Sequence, residues 1–493
     1  MKALCVLYAG ELKEEASWPL PPLAGGKGKN AGDTAFAMAQ SAAASFPHAT
    51  EVIILQEKMS QAGLLAKMAG IAAEKKPDFF YYAWADCPLL DADLAGRIAE
   101  RHLKYAAEYS YSDGWPEGFA PEVFVPSFPA ILAGLLEKAG EEEKNKLVWR
   151  DSLFSIMARD INAFDIETEI SPVDLRDYRL CLAADCKRNY LILKNLIEAG
   201  LRDSTNAEEI ISNNRKLLRT VPSFYSIQIS GDCPAHCDNK FCPYRQQDIS
   251  KYYKDQYMSL SDFKTILQKI DAFSKEAVLS ISLWGEPSLH PQITDIIQSV
   301  LSYKDLSLLI ETSGLGWTEE TLSNLSQDPC ASAPPRELYT DRLPTWILSF
   351  TNTDTRNDSI AELFLKYFPN NTYLQFIRSK GSEDESEKFY RWAEKKTKNI
   401  IIQKYDDFCG ALPKLQVTDL SPVQRNPCWH IERDFTILLD GRVPMCREDL
   451  SLLKNPTKPG LGNAFNGNFE EIWAKNCETN ICGECDEYYT FNF

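Results

Sequence analysis

No apolar run in the 493 residues is long enough to cross a bilayer as a helix, so no transmembrane segment is expected. The opening MKALCVLYAGELKEE has a short apolar run, no small-residue cleavage site, and turns acidic at once. It reads as a buried first strand rather than a signal peptide. A cytoplasmic chain with reduced thiols is therefore expected. Positive charge is also scarce: 53 basic against 70 acidic side chains give a net −17. Such a balance repels phosphate backbones and anionic lipid. The densest basic stretch, AEKKTKNI near residue 395, reads as the polar end of a surface helix. Neither nucleic acid nor membrane is an expected partner. No repeat of solenoid period and no low-complexity tract is present, which excludes repeat architectures and extended disordered segments.

The chain does have material for cores: 44% of residues are apolar and 11% aromatic, and the length suits two to four domains. From residue 1 to 203, strand-like runs ALCVLYA, EVIILQ and DFFYYAWAD alternate with helical patterns AGDTAFAMAQSAAASF and MSQAGLLAKMAGIAAEK. That alternation predicts a mostly parallel sheet with covered faces. A polar helical stretch, TNAEEIISNNRKLLRT, bridges 204–220. From 221 to 405 come six strand-like runs: SFYSIQIS, AVLSISLWG, SLLIET, TWILSF, TYLQFIR and NIIIQKY. Amphipathic stretches such as LSDFKTILQKIDAF lie between most of them. Six β-then-α units predict a partial (β/α)6 barrel, with chemistry on loops at the strands' C-terminal ends. Residues 406–493 are irregular and rich in cysteine, so metal staples are expected there. The expected class is α/β throughout.

Cysteine is abundant, with fourteen residues, and it bunches. GDCPAHCDNKFCPY places Cys233, Cys237 and Cys242 in the loop after the first strand of the second block. Reduced thiols weaken a disulfide reading. Two readings stay open: three irons of a [4Fe–4S] cluster with the fourth iron left for an outside ligand, or a zinc site with His236 as the fourth ligand. Neighbouring loops add WGEPSLHP, with Gly285, Glu286 and Pro287, and ETSG, with Ser313. Arg378 sits at the end of the fifth strand. A carboxylate suited to an ammonium and a guanidinium suited to a carboxylate describe a site for an amino-acid-bearing cofactor.

In these residues the sequence resembles the radical S-adenosylmethionine (SAM) superfamily, which carries a cysteine triad after strand one, a Gly-Glu-Pro loop after strand two and a partial barrel. The resemblance implies that Cys233, Cys237 and Cys242 ligate a [4Fe–4S] cluster, with aromatic Phe241 before the third cysteine. It implies that Gly285, Glu286 and Pro287 meet the methionine amine of SAM, that Arg378 meets its carboxylate, and that Ser313 and Ser349 add polar contacts. It also implies reductive cleavage of SAM to a 5′-deoxyadenosyl radical and an electron donor such as flavodoxin or ferredoxin. The spacing departs from the family's C-x3-C-x2-C: four residues, Asp238 to Phe241, separate the last two cysteines.

In the last block, Cys428 is followed by twelve residues to Gly441 and four more to Cys446, and FTILLDGRVPM reads as a hairpin turning at Asp-Gly. Cys477, Cys482 and Cys485 follow. Two cysteines flanking a hairpin and a C-x2-C pair suit a closed four-thiolate site, of zinc or of [4Fe–4S]. The C-x12-G-x4-C element, Gly462-Asn463 and Ile472-Trp473 resemble the SPASM/twitch extension of radical SAM proteins. This implies one auxiliary [4Fe–4S] cluster at Cys428, Cys446, Cys482 and Cys485, with Cys409 and Cys477 left over as replacements for any of the four. Cys5, Cys181, Cys186 and Cys330 read as plain thiols.

The first block resembles cytidylyltransferases of the spore-coat polysaccharide and acylneuraminate type, through WADCPLLDADL and the PEG…EVF run. The resemblance implies that Asp86 and Asp185 form the aspartate pair of a magnesium–CTP site. The basic glycine-containing loop of that family is replaced here by AGELKEEASWPLPPL, whose Glu11, Glu14 and Glu15 repel phosphate, and Lys27 and Lys29 come later. Loss of transfer activity is therefore expected. As a whole the chain resembles spirochaete-type SPASM radical SAM proteins with a nucleotidyltransferase-like front end. Radical chemistry on a peptide, protein or small metabolite is the leading expectation. The rivals are an active CTP-dependent nucleotidyltransferase with regulatory cluster domains and a zinc-stapled, non-catalytic binding protein.

Overall fold

The computed structural model describes residues 1–10, 12–23, 33–234, 237, 239–327, 343–417, 428–475, 480–483 and 485. Glu11, Lys27, Lys29, His236, Asp238, Cys330 and Cys477 lie outside the described residues. The chain divides into two compact units, 1–220 and 221–493.

The first unit is built on a six-stranded sheet of β1 (Ala3–Tyr8), β2 (Ala49–Leu55), β3 (Phe79–Trp84), β4 (Tyr109–Asp113), β5 (Glu122–Phe124) and β6 (Ile166–Ile170), in the order β2-β1-β3-β5-β4-β6. β1 runs parallel to β2 and β3, β4 runs parallel to β6, and β5 is antiparallel to both its neighbours. All six residues of β1 are buried. Because side chains alternate along a strand, Cys5 and Leu7 enter one core while Leu4, Val6 and Tyr8 enter another. Helices Ala35–Ala43, Ala92–Tyr105 and Lys187–Glu198 supply the first core, and Gln61–Lys75 and Phe128–Ala139 the second. Both faces are therefore covered, which is why the central strands read as continuous apolar runs. The polar stretch before residue 220 forms the helix Ala207–Asn213 and a short turn, and it buries Ala207, Ile211 and Leu218 in the first of these cores.

The second unit carries a seven-stranded, wholly parallel sheet. Its strands are β7 (Phe224–Ile227), β8 (Ala277–Ser280), β9 (Leu306–Thr312), β10 (Thr345–Phe350), β11 (Thr372–Arg378), β12 (Ile400–Lys404) and β13 (Asp434–Ile437), ordered β12-β11-β10-β9-β8-β7-β13. Helices Leu260–Phe273, Ile293–Leu301, Glu319–Ser326, Thr355–Tyr367 and Glu383–Ala393 follow β7 to β11 in turn. One set of alternate residues, including Tyr225, Leu279, Ile310, Leu348 and Phe376, is buried in the core. The other set, Ser226, Ser280, Glu311, Ser349 and Ile377, faces a cavity of about 300 Å³ that Gln403 of β12 also lines. A cavity touched by every strand from β7 to β12 requires the sheet to curl around it.

β13 comes from the cysteine-rich last segment yet joins the same sheet, pairing with β7. Phe435 stacks on Phe469 and Trp473 at ring-centroid distances of 5.0 and 6.0 Å and meets Tyr225 in a tilted contact at 5.5 Å. The expected hairpin is a tight turn after β13, closed by Leu438 N–H donating to Arg442 and Gly441 N–H donating to Leu438. Among the described residues no helix is long and apolar enough to cross a membrane.

Candidate active site

The C-terminal end of β7 leads through Ser230 and Gly231 into the cysteine loop. Cys233, Cys237, Phe241 and Cys242 all line the cavity. The long gap between the last two cysteines is taken up by local turns. The Asn239 side chain accepts from the Phe241 N–H at 2.9 Å, and Cys242 stands at the start of the short helix Pro243–Gln246, its carbonyl accepting from Gln246 at 3.0 Å. The extra residues are thus spent on an Asx turn, and Cys242 stays on the cavity wall.

The base of this loop is held from several sides. Tyr244 Oη donates to the Gly231 carbonyl at 2.9 Å, and Tyr257 Oη donates to the Asp232 carboxylate. Buried Gln228 donates to Tyr244 Oη at 3.3 Å and accepts from Leu439 N–H at 3.3 Å, linking the loop base to the residues after β13. The Gly-Glu-Pro loop after β8 adds a further support: Glu286 N–H donates to the Asp232 carbonyl at 2.7 Å. Gly285 is required there, since its φ is +77° and a Cβ would lie 2.2 Å from the Ser230 carbonyl oxygen.

Glu286 is buried beside the cavity. Its carboxylate accepts from Thr312 Oγ1 at 2.5 Å, Ser313 Oγ at 2.7 Å, Ser313 N–H at 3.1 Å and Ser288 N–H at 3.5 Å. Burial raises its pKa against these donors. It therefore ties the β8 loop to the tip of β9 at the cavity wall. Ser313 and Ser349 both line the cavity, whereas Pro287 is buried and opens the turn Pro287–Leu289.

Arg378 ends β11. It shares the parity of Leu374 and Phe376, which are core residues, while Gln375 and Ile377 turn the other way; it is exposed and does not line the cavity. The cations that do line it are Arg245, Lys404 and Arg447. Glu311 is another residue that motif reading passed over. It projects from β9 into the cavity, accepts from Gln375 Nε2 at 3.0 Å, and has its pKa raised by burial against that hydrogen bond and the Arg447 charge. Strand alternation from Ser313 back to Glu311 was the signal available.

Burial, with the neighbouring Cys242 and Cys237 thiols, pushes the Cys233 thiol up to about 12. Among the described residues no three His, Cys, Asp or Glu side chains converge closely enough to hold one metal ion. The thiols are spaced around a shared cavity, with a buried carboxylate, hydroxyls and glycine backbone beside them. That donor set fits a multi-iron cluster with one open iron and an amino-acid-bearing ligand.

The C-terminal cysteines form a second set. Cys409 hydrogen-bonds with Cys485, Cys428 lies near Cys485 and Cys482, and Cys446 lies near Cys428. Cys409 reaches this set from a run of left-handed residues, Phe408, Cys409 and Gly410 at φ 51, 53 and 80°. It sits among the thiols it was left out from. Burial pushes Cys428 up to about 12.

In the first unit, Asp86 follows β3 and Asp185 precedes the helix Lys187–Glu198, and the fold brings them together. Between them lies Arg150, whose Nη2 is 2.6 Å from Asp86 and 3.4 Å from Asp185, with Nε 3.3 Å from Glu117. The guanidinium also covers the Trp84 ring at 4.9 Å. A magnesium ion needs the space between such carboxylates open, so these residues as arranged do not fit a magnesium–triphosphate. Cys5 is buried and Cys181 lies 3.8 Å from Asp185.

No protein-family model matches the chain. An uncharacterised protein of Treponema pallidum (strain Nichols) is 34% identical over 373 residues, covering 69% of this chain and 98% of that protein. The chain belongs to the same family as that treponemal protein. A second uncharacterised protein of the same strain is 32% identical over 88 residues, 17% of this chain and 40% of that protein. Among solved structures, BtrN in complex with AdoMet and 2-DOIA matches at 15% identity and a TM-score of 0.35, covering 53% of this chain and 84% of BtrN. Native anSMEcpe with bound AdoMet and Cp18Cys peptide matches at 14% and 0.37, covering 55% and 84%. A cytidylyltransferase from Leptospira borgpetersenii serovar Hardjo-bovis (strain JB197) matches at 14% and 0.36, covering 44% and 97%. Likenesses this loose leave the site to be read from the chain's own side chains.

Proposed function

We propose that the chain is a radical SAM enzyme acting on a peptide, protein or small-metabolite substrate in the cytoplasm, with electrons from a carrier such as flavodoxin or ferredoxin. The observation that carries this reading is the meeting of Cys233, Cys237 and Cys242 with the Gly285–Glu286 loop on one cavity. The three thiolates would hold the cluster. Bound there, a [4Fe–4S] cluster would supply the electron for reductive cleavage of SAM and so open radical chemistry on the substrate. Glu286, already fixed by Thr312 and Ser313, offers its charge to the methionine ammonium. Ser313 and Ser349 offer hydroxyls, and Phe241, Trp284 and Phe408 give the cavity an apolar wall. Arg245, which also donates to the Pro234 carbonyl at 3.2 Å, replaces Arg378 as the cation for a carboxylate.

The same reading assigns 1–203 to a nucleotidyltransferase-like α/β sandwich, 204–220 to a helical linker, 221–405 to a partial barrel and 406–493 to a SPASM/twitch-like cluster extension that lends β13 to the neighbouring sheet. One auxiliary [4Fe–4S] cluster would be held by Cys428, Cys446, Cys482 and Cys485, with Cys409 beside Cys485 as the candidate substitute. The rival reading, CTP-dependent transfer, is disfavoured by Arg150 standing between its aspartates. Anaerobic reconstitution tests the proposal: about eight irons per chain are expected from two four-iron clusters, with SAM converted to 5′-deoxyadenosine under reductant. Cys237→Ala should abolish that cleavage, and Cys482→Ala should lose iron while retaining part of it. Colourless, zinc-loaded protein that leaves SAM intact would overturn the reading.

A further inference from the structure

The carboxylates of the first unit are organised around a cation that the chain itself supplies. Both oxygens of Asp86 are engaged: Oδ2 by Arg150 Nη2 at 2.6 Å and Oδ1 by the Cys87 thiol at 3.6 Å. Those of Asp185 are engaged likewise, Oδ2 by the same Nη2 at 3.4 Å and Oδ1 by Asn189 Nδ2 at 2.8 Å. The third carboxylate, Glu117, meets Nε at 3.3 Å, and Nη1 reaches the Cys87 sulfur at 3.6 Å. The guanidinium plane is backed by Trp84, which itself packs edge-on against Tyr8 with ring centroids 4.9 Å apart. Backbone pairing fixes the carboxylates around it. Ala184 N–H donates to the Asp86 carbonyl at 2.9 Å and Leu182 N–H to the Glu117 carbonyl at 2.8 Å. Burial opposes a charge on Arg150, but the surrounding acidic groups outweigh it and its pKa is raised. Asp86 is 2% exposed, whereas the side chains of Asp185 and Glu117 are 31% and 50% exposed, so the cluster runs from the interior at Asp86 out to solvent at Glu117.

We infer that Arg150 is a built-in substitute for a divalent cation, and that the first unit takes no magnesium-bound nucleotide at Asp86 and Asp185. A planar fork can bond several carboxylates at once and keeps its positive charge at every physiological pH. A divalent ion would need the same oxygens at about 2.1 Å and would meet a like charge already in place. The inference is independent of the radical SAM reading and stands or falls separately from it.

Manganese, which takes magnesium sites and is visible by electron paramagnetic resonance, is the probe, used on the full chain. Wild type and Asp86→Asn should leave the same amount of free Mn2+ across a millimolar titration, with or without CTP. Arg150→Met should gain about one Mn2+ per chain, bound at least tenfold more tightly than by wild type, and Arg150→Met/Asp86→Asn should lose it again. Wild-type binding that Asp86→Asn removes overturns the inference, as does a folded Arg150→Met chain that gains no site. If Arg150→Met does not fold, the comparison of wild type with Asp86→Asn decides alone.

Discussion

A methyl group on residue 285 would meet the Ser230 carbonyl oxygen at 2.2 Å, in a backbone conformation of φ +77° that side chains resist. Gly285→Ala is therefore expected to destabilise the second unit by roughly 2–4 kcal/mol and to reduce iron uptake at the Cys233 loop, since the Glu286–Asp232 hydrogen bond depends on that approach. Denaturant titration and an iron assay on the purified variant check both effects; full iron loading at wild-type stability would disprove the role given to Gly285. In the first unit, burial lifts the Glu122 pKa from 4.5 to about 7 against a 2.6 Å hydrogen bond from Tyr109 Oη. Between those pH values the folded chain keeps a proton that the unfolded chain releases. Stability therefore falls as pH rises through the window, and the loss is complete above about 7. Glu122→Gln keeps an acceptor for Tyr109 and has no proton to lose. Its unfolding free energy should match wild type near pH 4.5 and exceed it increasingly toward pH 7.5, by about 3 kcal/mol at the upper end, with the melting temperature following the same trend.

The strands between 221 and 405 were legible because they are runs of β-branched and aromatic residues with amphipathic stretches between most of them, a pattern local to a few dozen residues. What the pattern left out is non-local. β13 has four residues, and its partner β7 lies about two hundred residues earlier. Arg378 stands off the cavity because a one-residue step along β11 moves a side chain from the cavity to the opposite face. Arg150 sits in KLVWRDSLF, which carries no motif, and meets Asp86 only through a contact spanning 64 positions. The cysteine triad and the Gly-Glu-Pro loop could be found because chemistry ties them to short spacings. At this scale, the Phe435 ring cluster acts with the β13–β7 pairing to fasten the cysteine-rich segment to the sheet. Phe435 is 2% exposed, so Phe435→Ala should cost about 3–5 kcal/mol in urea unfolding of the second unit. A cost below about 1 kcal/mol would mean that β13 lies outside the cooperative core.

Each unit has its own buried core: Leu4, Tyr8, Phe80, Leu94 and Leu193 stand among the residues of the first, and Tyr225, Leu279, Trp346, Phe364 and Phe435 among those of the second. All the thiols proposed to carry iron belong to the second unit, while Glu122 and the Arg150 cluster belong to the first. Two cores with different sensitivities predict two transitions in calorimetry of the full chain. Ligands that bind only the folded state stabilise the unit that holds them, so iron removal should lower the transition of residues 221–493 and leave the other in place. Glu122→Gln at pH 7.5 should do the reverse, raising the first unit's transition alone. Magnesium with CTP should move neither, because Arg150 already stands between the two aspartates proposed for them. A single transition that both iron removal and Glu122→Gln displace would show that the two cores unfold together.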